Sequence, residues 1–232
     1  MPRTDVLSGG IFPVKKLLFL PCLLLLFSYI SAYSDEKVED IYKQIEKMSK
    51  LQTPDTYRVT VENKSFSEAL EELPADILTG GGEPRVVILF KKNDGVKIVI
   101  ENIKEEYTSL FSMYEEYFKV SGISKVQNPI ELREIIDKEK MSIYKVEKDA
   151  IVLQVWDPDE EMMTDNYAFF YLDRNRMVIN QATYYLDGTP YMKAENSYKK
   201  YGKYLMPYKI VLTNMTDNSN DVFYFEDYKF NN

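Results

Sequence analysis

The sequence predicts an α+β fold built on a curved antiparallel β-sheet, and three observations lead to this prediction. Residues 167–210 have the pattern of three or four strands, and their Asp187-Gly188 turn is typical of a type I′ hairpin, because Asp and Gly tolerate positive φ. One amphipathic helical stretch precedes the strands, and another interrupts them. Large aromatic side chains alternate along several strands, so both sheet faces carry them. A strongly curved sheet, wrapped around a helix and with a concave apolar side, accounts for this pattern.

Residues 1–34 are predicted to be a secretory signal peptide. Basic residues precede an apolar run over residues 17–30, and small residues at 32–34 offer a cleavage site. The run is shorter than the roughly 20 apolar residues of a membrane span, although an uncleaved N-terminal anchor is the alternative. The lipid-modified cysteine of a bacterial lipoprotein would follow a small residue at the end of the apolar run. Cys22 instead follows Pro21 and lies inside the run, so we interpret it as part of the signal. The folded domain is then residues 35–232.

The charge and cysteine content of the domain indicate which partners it avoids and where in the cell it is located. Without residues 1–34 the chain keeps 26 Lys and Arg against 36 Asp and Glu, a net charge of −10. Such a surface repels nucleic acid and anionic membranes. The single cysteine leaves with the signal, so the exported chain forms no disulfide, which favours the periplasm or cell envelope of a bacterium.

The first part of the domain is predicted to begin with a helix and a strand. Apolar residues at spacings of three and four predict a helix over 35–52, capped by Ser34 or Asp35. Alternating residues predict a strand at 57–61. The spacing within 66–78 predicts a short helix in the connection that follows.

A glycine run and a hairpin come next. The glycines at 80–82 predict a flexible loop and not a phosphate-binding loop, because no Gly-Lys-Ser/Thr follows them. Residues 85–92 and 96–103 predict two strands around an Asn-Asp-Gly turn. Ile98 and Ile100 share one face of the second strand.

Two helices are predicted between strands, over residues 107–120 and 128–140. Leu110, Tyr114 and Phe118 lie along one side of the first. The apolar sides of such helices must pack on a sheet. They either close the core or form a lid over an apolar groove.

The remaining chain is predicted to be a series of strands, beginning at 141–146 and 151–156 and ending with 221–230. The acidic run at 157–161 lacks the turn glycine and final Glu of an EF-hand loop, so it predicts a solvated hairpin tip and not a calcium site.

The chain contains no histidine. Its absence excludes Ser-His and Cys-His catalysis and most zinc sites. Neither a Gly-x-Ser-x-Gly nor a Gly-x-Gly-x-x-Gly motif is present. We therefore predict that the protein is not an enzyme and uses no cofactor or metal. A hydrolase that uses two facing carboxylates is an alternative hypothesis, and sequence spacing cannot identify which two carboxylates would face each other.

The order of elements resembles the bacterial lipoprotein-carrier family with the LolA/LolB-like fold, over residues 35–231. The resemblance is strongest at 184–212, where Tyr-Leu-Asp-Gly-Thr-Pro precedes Asn-Ser-Tyr and Leu-Met-Pro-Tyr-Lys-Ile. It implies an incomplete antiparallel β-barrel, with an N-terminal helix and a two-helix lid over an apolar cavity. Val61-Glu62 stands where well-known carriers have Phe-x-Gln, and no functional residue of the carriers maps onto a matching position.

The resulting hypothesis is an exported protein of the outer-membrane lipoprotein-sorting type that binds and transports the acyl chain of a lipoprotein or lipid. Envelope membrane proteins are further candidate partners. The alternative is an envelope sensor or adaptor that binds a protein and carries no lipid. The predicted apolar lining is Ile98, Ile100, Leu110, Tyr114, Phe118, Phe170 and Leu172.

Overall fold

Ten antiparallel strands form one curved sheet. The structure, a computed structural model, describes residues 37–107, 118, 132–133, 136, 141–156 and 166–231. The strands are β1 (Thr56–Glu62), β2 (Arg85–Lys91), β3 (Gly95–Glu101), β4 (Met141–Val146), β5 (Ala150–Trp156), β6 (Tyr167–Asp173), β7 (Val178–Leu186), β8 (Thr189–Tyr201), β9 (Tyr204–Asn214) and β10 (Asn220–Asn231).

The strand order is β3-β2-β1-β10-β9-β8-β7-β6-β5-β4. Strands β4 to β10 form a meander, and β1 pairs with β10, so the first and last strands of the domain lie side by side. Among the described strands, β3 and β4 are the two edges and do not pair with each other. The predicted fold class, a curved antiparallel sheet that forms an incomplete barrel, is confirmed.

The curvature has a local cause in the strand pairing. Register shifts interrupt five of the nine described strand pairs. A bulge bends its strand and increases the local twist. Repeated along the meander, these shifts turn the sheet into an open, curved wall.

Turn chemistry sets two of the hairpins. Asp187 and Gly188 have φ of 51° and 70°, which confirms the predicted type I′ turn. At the β2–β3 hairpin a three-residue loop precedes Gly95, whose φ is 81°. The second strand of this hairpin is shorter than predicted: it ends at Glu101 because Asn102 adopts a φ of 65°.

Helix α1 (Val38–Gln52) precedes the sheet. It begins later than predicted, with Lys37 at the N-cap position and no capping hydrogen bond from a side chain, so the predicted caps Ser34 and Asp35 are wrong. Two acidic residues in the first turn still face the positive end of the helix dipole.

Helix α2 (Lys64–Glu71) follows β1 directly, which confirms the short helix predicted in this connection. The Asn63 side chain caps it by accepting a hydrogen bond from the Phe66 amide at 3.0 Å. A 3₁₀ turn, Ala75–Ile77, then leads towards β2.

The hydrophobic core lies between the concave face of the sheet and the helices. Helical residues 118, 132 and 136, from the two predicted lid helices, pack against this core. Most of those two helices, the predicted signal at 1–34 and the acidic run at 157–161 lie outside the described residues. Within the described part of the chain, no helix has both the length and the apolar character needed to cross a membrane.

Candidate functional site

An open cleft of about 790 Å³ lies beside α2 and is the main candidate site. This volume falls within the roughly 300–1,000 Å³ range of ligand pockets in proteins. The cleft borders β1, β2, α2 and the connection that follows α2. Its apolar lining consists of Val61, Phe66, Leu70, Leu73, Leu78, Pro84 and Val86.

Local periodicity places these side chains. Alternation along β1 turns Val61 to the concave face, where it is 5% exposed. In α2, Phe66 and Leu70 are four residues apart and share one buried side of the helix. The Phe66 ring contacts Phe223 of β10 edge to face, with ring centroids 5.3 Å apart. The cleft therefore adjoins the aromatic core of the concave face.

The polar lining of the cleft is predominantly acidic. Among the described residues, it includes the carboxylates of Glu62, Glu71, Glu83 and Asp227 and one guanidinium, that of Arg85. Such a rim creates a negative potential at the entrance. It disfavours a ligand with an anionic head group and tolerates a neutral or cationic one.

Phe118, predicted to line the apolar cavity from the lid, lies deep in the core. It is 4% exposed, and its ring contacts Phe223 and Phe225 edge to face, with centroid distances of 5.6 and 5.8 Å. Phe223 therefore contacts both Phe118 and Phe66, one on the predicted lid and one in the cleft. The predicted role of Phe118 in lining a ligand cavity stays a prediction.

Arg133, from the second predicted lid helix, is joined to α1. Its guanidinium donates two hydrogen bonds to the Glu39 carboxylate, at 2.7 and 3.1 Å, and lies 3.7 Å from the centre of the Tyr42 ring. The hydrogen bond from Arg133 lowers the pKa of Glu39 below its usual value. This contact attaches the second predicted lid helix to the first helix of the domain.

The four predicted lining residues on the sheet share its concave side. Ile100, Phe170 and Leu172 are 5%, 1% and 0% exposed, and Ile98 is half-buried against the same core. None of these four lines the described cleft. Leu110 and Tyr114 lie outside the described residues, so their predicted roles stay predictions.

The apolar cleft residues on and after α2 were not among the predicted lining residues. Their signal was present in the sequence: Phe66 and Leu70 lie on one side of the short helix, and Leu73 and Leu78 continue the apolar series. That signal predicts a packed helix equally well. The cleft beside this helix is visible only in the folded structure, where β1 pairs with β10.

A second aromatic group lies on the concave side, with members on β1, β2, β8 and β10. The Tyr57 ring stacks on Phe90 at 4.7 Å and contacts Tyr228 at 5.5 Å. The Tyr198 hydroxyl donates a hydrogen bond to the Ile179 carbonyl at 2.9 Å. Burial raises the pKa of Tyr57, Tyr198 and Tyr228 well above the usual tyrosine value. These tyrosines are neutral structural groups at physiological pH.

Other tyrosines face the convex side of the sheet. Tyr167 stacks on Tyr185 with ring centroids 4.5 Å apart, and Tyr144 contacts Phe169 at 4.6 Å. Aromatic residues thus occupy both faces, as the sequence predicted. Among the described residues, no group of three or more Asp, Glu, His or Cys is arranged to hold a metal ion.

No protein-family model matches the chain, and no curated protein matches it. Several solved structures are similar to the chain, among them the following three. A domain described as an outer membrane lipoprotein-sorting protein from Vibrio parahaemolyticus is 13% identical, with a TM-score of 0.49, over 83% of this chain and 93% of that one. A LolA superfamily protein from Nitrosomonas europaea is 9% identical, with a TM-score of 0.45, over 85% and 94%.

The third is a DUF1329 family protein from Desulfovibrio piger, 9% identical, with a TM-score of 0.44, over 84% of this chain and 93% of that one. All three are similar to this chain in fold alone. Two of them are described as a lipoprotein-sorting protein domain and a LolA superfamily protein.

Proposed function

We propose that the protein is an exported, periplasmic binding protein that shields the acyl chain of a lipoprotein or another lipid. The observation that carries this proposal is the cleft of about 790 Å³ beside α2, in which apolar side chains lie within an acidic rim. Each methylene that leaves water for such a surface contributes roughly 0.8 kcal/mol to binding. Burial alone can supply the affinity for an acyl chain. The role that we propose is transport.

The acyl chain would pass from the cleft towards the concave face. Phe223 supports this route because it contacts both Phe66 in the cleft and Phe118 on the predicted lid. The predicted lining residues Ile98, Ile100, Phe170 and Leu172 face the same interior, and Leu110 and Tyr114 complete the proposed set. Movement of the lid would expose this interior to the ligand.

The acidic rim restricts the head group of the ligand. With four carboxylates and one guanidinium at the cleft, a free fatty acid meets like charge at the entrance. An acyl chain held in an ester or amide linkage carries no carboxylate and avoids this repulsion. The proposal therefore favours the lipid-modified end of a lipoprotein, or a neutral lipid, over a free fatty acid.

Native mass spectrometry of the exported protein, before and after solvent extraction, tests whether it carries lipid. A titration with two fluorescent acyl probes tests the rim: the chains are identical, and the head group is either a neutral amide or a carboxylate. We expect tighter binding of the amide. A lipid-free protein that binds neither probe would contradict the proposal.

A matched pair of variants locates the site. Leu73→Glu places a carboxylate on the apolar lining of the cleft, and we expect it to weaken binding of the amide probe about tenfold or more, because the new charge must be desolvated when the chain binds. Leu89→Glu makes the same change on β2 at a side chain that is 39% exposed and does not line the cleft. Equal binding by the two variants would place the ligand elsewhere.

The adaptor alternative also has one observation in its favour. Tyr144, which is 62% exposed, contacts Phe169 on the convex face, next to the stacked rings of Tyr167 and Tyr185. Tyrosine is enriched in protein interfaces. If this surface carries the function, Tyr144→Ser abolishes association with an envelope protein, while the purified protein is free of lipid.

A further inference from the structure

We propose that a second pocket, next to the start of α2, binds a neutral saccharide unit. The pocket measures about 390 Å³ and is formed at the end of the sheet where β8, β9 and β10 meet the helix. Its volume is within the range of small-molecule sites, roughly 300–1,000 Å³. Ser65, Tyr191, Leu212, Asn214, Asn220 and Asp221 supply the groups that carry the argument.

Two asparagines, Asn214 and Asn220, are among the residues that line this pocket. The Asn214 Oδ1 accepts a hydrogen bond from the Thr216 amide at 2.8 Å, and the Asn220 Oδ1 accepts one from the Thr213 hydroxyl at 2.7 Å. The protein thus uses the carbonyl side of each amide. Among the described residues, the Nδ2 groups of Asn214 and Asn220 make no hydrogen bond, so both are available to a ligand.

One carboxylate adds an acceptor. Asp221 Oδ1 accepts a hydrogen bond from Asn63 Nδ2, which fixes the carboxylate and leaves Oδ2 for a ligand. The hydroxyl of Ser65 lies on the same pocket and can donate or accept. The polar groups therefore offer both donors and acceptors, with negative charge and no cation in the described lining.

The apolar part of the pocket is an aromatic ring and an aliphatic floor. Tyr191 is 38% exposed, and Leu212, beneath the pocket, is 4% exposed. Burial raises the pKa of Tyr191, so its hydroxyl keeps its proton and can donate a hydrogen bond.

A sugar ring matches this combination. Its hydroxyls both donate and accept, and its C–H face packs on an aromatic ring. An anionic ligand would meet the Asp221 carboxylate. A plain acyl chain would bury the amide donors of Asn214 and Asn220 without partners, which is unfavourable. A neutral polyhydroxylated ligand avoids both penalties.

The pocket wall is organised by its own hydrogen bonds. The backbone N–H of Asn214 donates to the Ser219 carbonyl, and the backbone N–H of Met215 donates to the Tyr191 carbonyl, both at 2.9 Å. The backbone N–H of Ser219 donates to Asp217 Oδ1 at 2.8 Å. A wall that is already ordered loses little entropy when a ligand binds. The site does not depend on acyl binding, because the apolar cleft is lined by other residues of α2.

An NMR titration of the ¹⁵N-labelled protein tests the proposal. The probes are two neutral disaccharides, maltose and N,N′-diacetylchitobiose, and the anionic disaccharide digalacturonate, each to about 10 mM, well above a Kd of 1 mM. At least one neutral probe is expected to shift the side-chain NH₂ signals of Asn214 and Asn220 saturably. Digalacturonate is expected to bind about tenfold more weakly, because its charge opposes Asp221.

Two variants make the assignment specific. Tyr191→Ala removes the ring and is expected to weaken binding of the neutral probe about tenfold. Tyr208→Ala is the control, since Tyr208 is equally exposed, at 39%, and does not line the pocket. Asn220→Asp keeps the acceptor for Thr213 but replaces the amide donor with a carboxylate, and it should also weaken binding about tenfold.

The amide spectrum of each variant reports whether it is folded. The proposal is overturned if neither neutral disaccharide gives a saturable shift, if digalacturonate binds as tightly as they do, or if folded Tyr191→Ala and Asn220→Asp bind like Tyr208→Ala. Failure of the acyl-probe experiment would leave these results unaffected, so the two proposals can fail separately.

Discussion

Arg58 on β1 and Glu101 on β3 form an ion pair across the intervening strand β2. Two hydrogen bonds join them, Nη2 to Oε2 at 2.6 Å and Nε to Oε1 at 3.2 Å. The strand register places Val87 of β2 midway between the two residues, on the convex face, and Val87 is 0% exposed. The ion pair therefore ties β1 to the edge strand β3 across the convex face of β2.

Glu101→Gln should lower the free energy of unfolding by about 1 kcal/mol, because a bidentate arginine–carboxylate pair is at the strong end of surface ion pairs. Urea denaturation measures the change. Glu46→Gln is the control, since it breaks the single, more exposed contact of Glu46 with Lys50 at 3.1 Å on α1 and should change stability by less than about 0.5 kcal/mol. Equal losses in both variants would contradict a special role for the Arg58–Glu101 pair.

Asn63 connects the apolar cleft with the second pocket. Its side chain caps α2 through the Phe66 amide and donates hydrogen bonds to Asp221 and, at 2.9 Å, to the Val222 carbonyl. Asn63→Ala removes all three interactions and should lower the free energy of unfolding by about 2–3 kcal/mol. Thermal or urea unfolding checks this value.

Asn63→Asp separates the cap from the two donor bonds. The new carboxylate can still cap α2, but it loses both donors and faces the carboxylate of Asp221. Two adjacent carboxylates raise the pKa of one of them. The variant should therefore be less destabilised, relative to the wild type, at pH 5 than at pH 7. An effect independent of pH would show that the two carboxylates do not interact.

Much of the fold could be predicted because its information is local. Alternation along the chain predicts the strands, and Asp187-Gly188 predicts a turn whose φ values are as required. The cleft depends on long-range pairing: β1 joins β10, with Tyr57 opposite Phe230, and Phe66 of α2 packs on Phe223 of β10. No periodicity within one segment specifies that pairing, so the lining residues Phe66 and Leu70 could not be assigned from sequence.

Thr60 offers a site for stabilisation. Its hydroxyl is buried, and among the described residues it has no hydrogen-bond partner. Thr60→Val should raise the free energy of unfolding by about 1 kcal/mol, because it removes an unsatisfied polar group from a strand. In the control, Thr183→Val, the buried hydroxyl accepts a hydrogen bond from Gln181 at 3.2 Å, so no gain is expected. A gain in both variants would reflect strand propensity alone.

The buried tyrosines predict how stability changes at alkaline pH. Burial raises the pKa of Tyr57, Tyr198 and Tyr228 in the folded state, whereas an unfolded tyrosine has a pKa of about 10. Below about pH 10 both states hold the proton, and the stabilisation is complete. Above it the unfolded state loses protons that the folded state keeps, so each buried tyrosine lowers stability by about 1.4 kcal/mol per pH unit.

Tyr57→Phe should remove one of these contributions. The free energy of unfolding, measured by urea denaturation from about pH 9 to 11, should fall less steeply for this variant than for the wild type, by about 1.4 kcal/mol per pH unit above pH 10. If the variant loses a hydrogen bond of the Tyr57 hydroxyl, the plot of unfolding free energy against pH shifts by the same amount at all pH values. Its slope below pH 10 does not change. Tyr208→Phe, at a side chain that is 39% exposed, should keep the wild-type slope. Identical slopes for Tyr57→Phe and the wild type would mean that Tyr57 ionises in the folded protein.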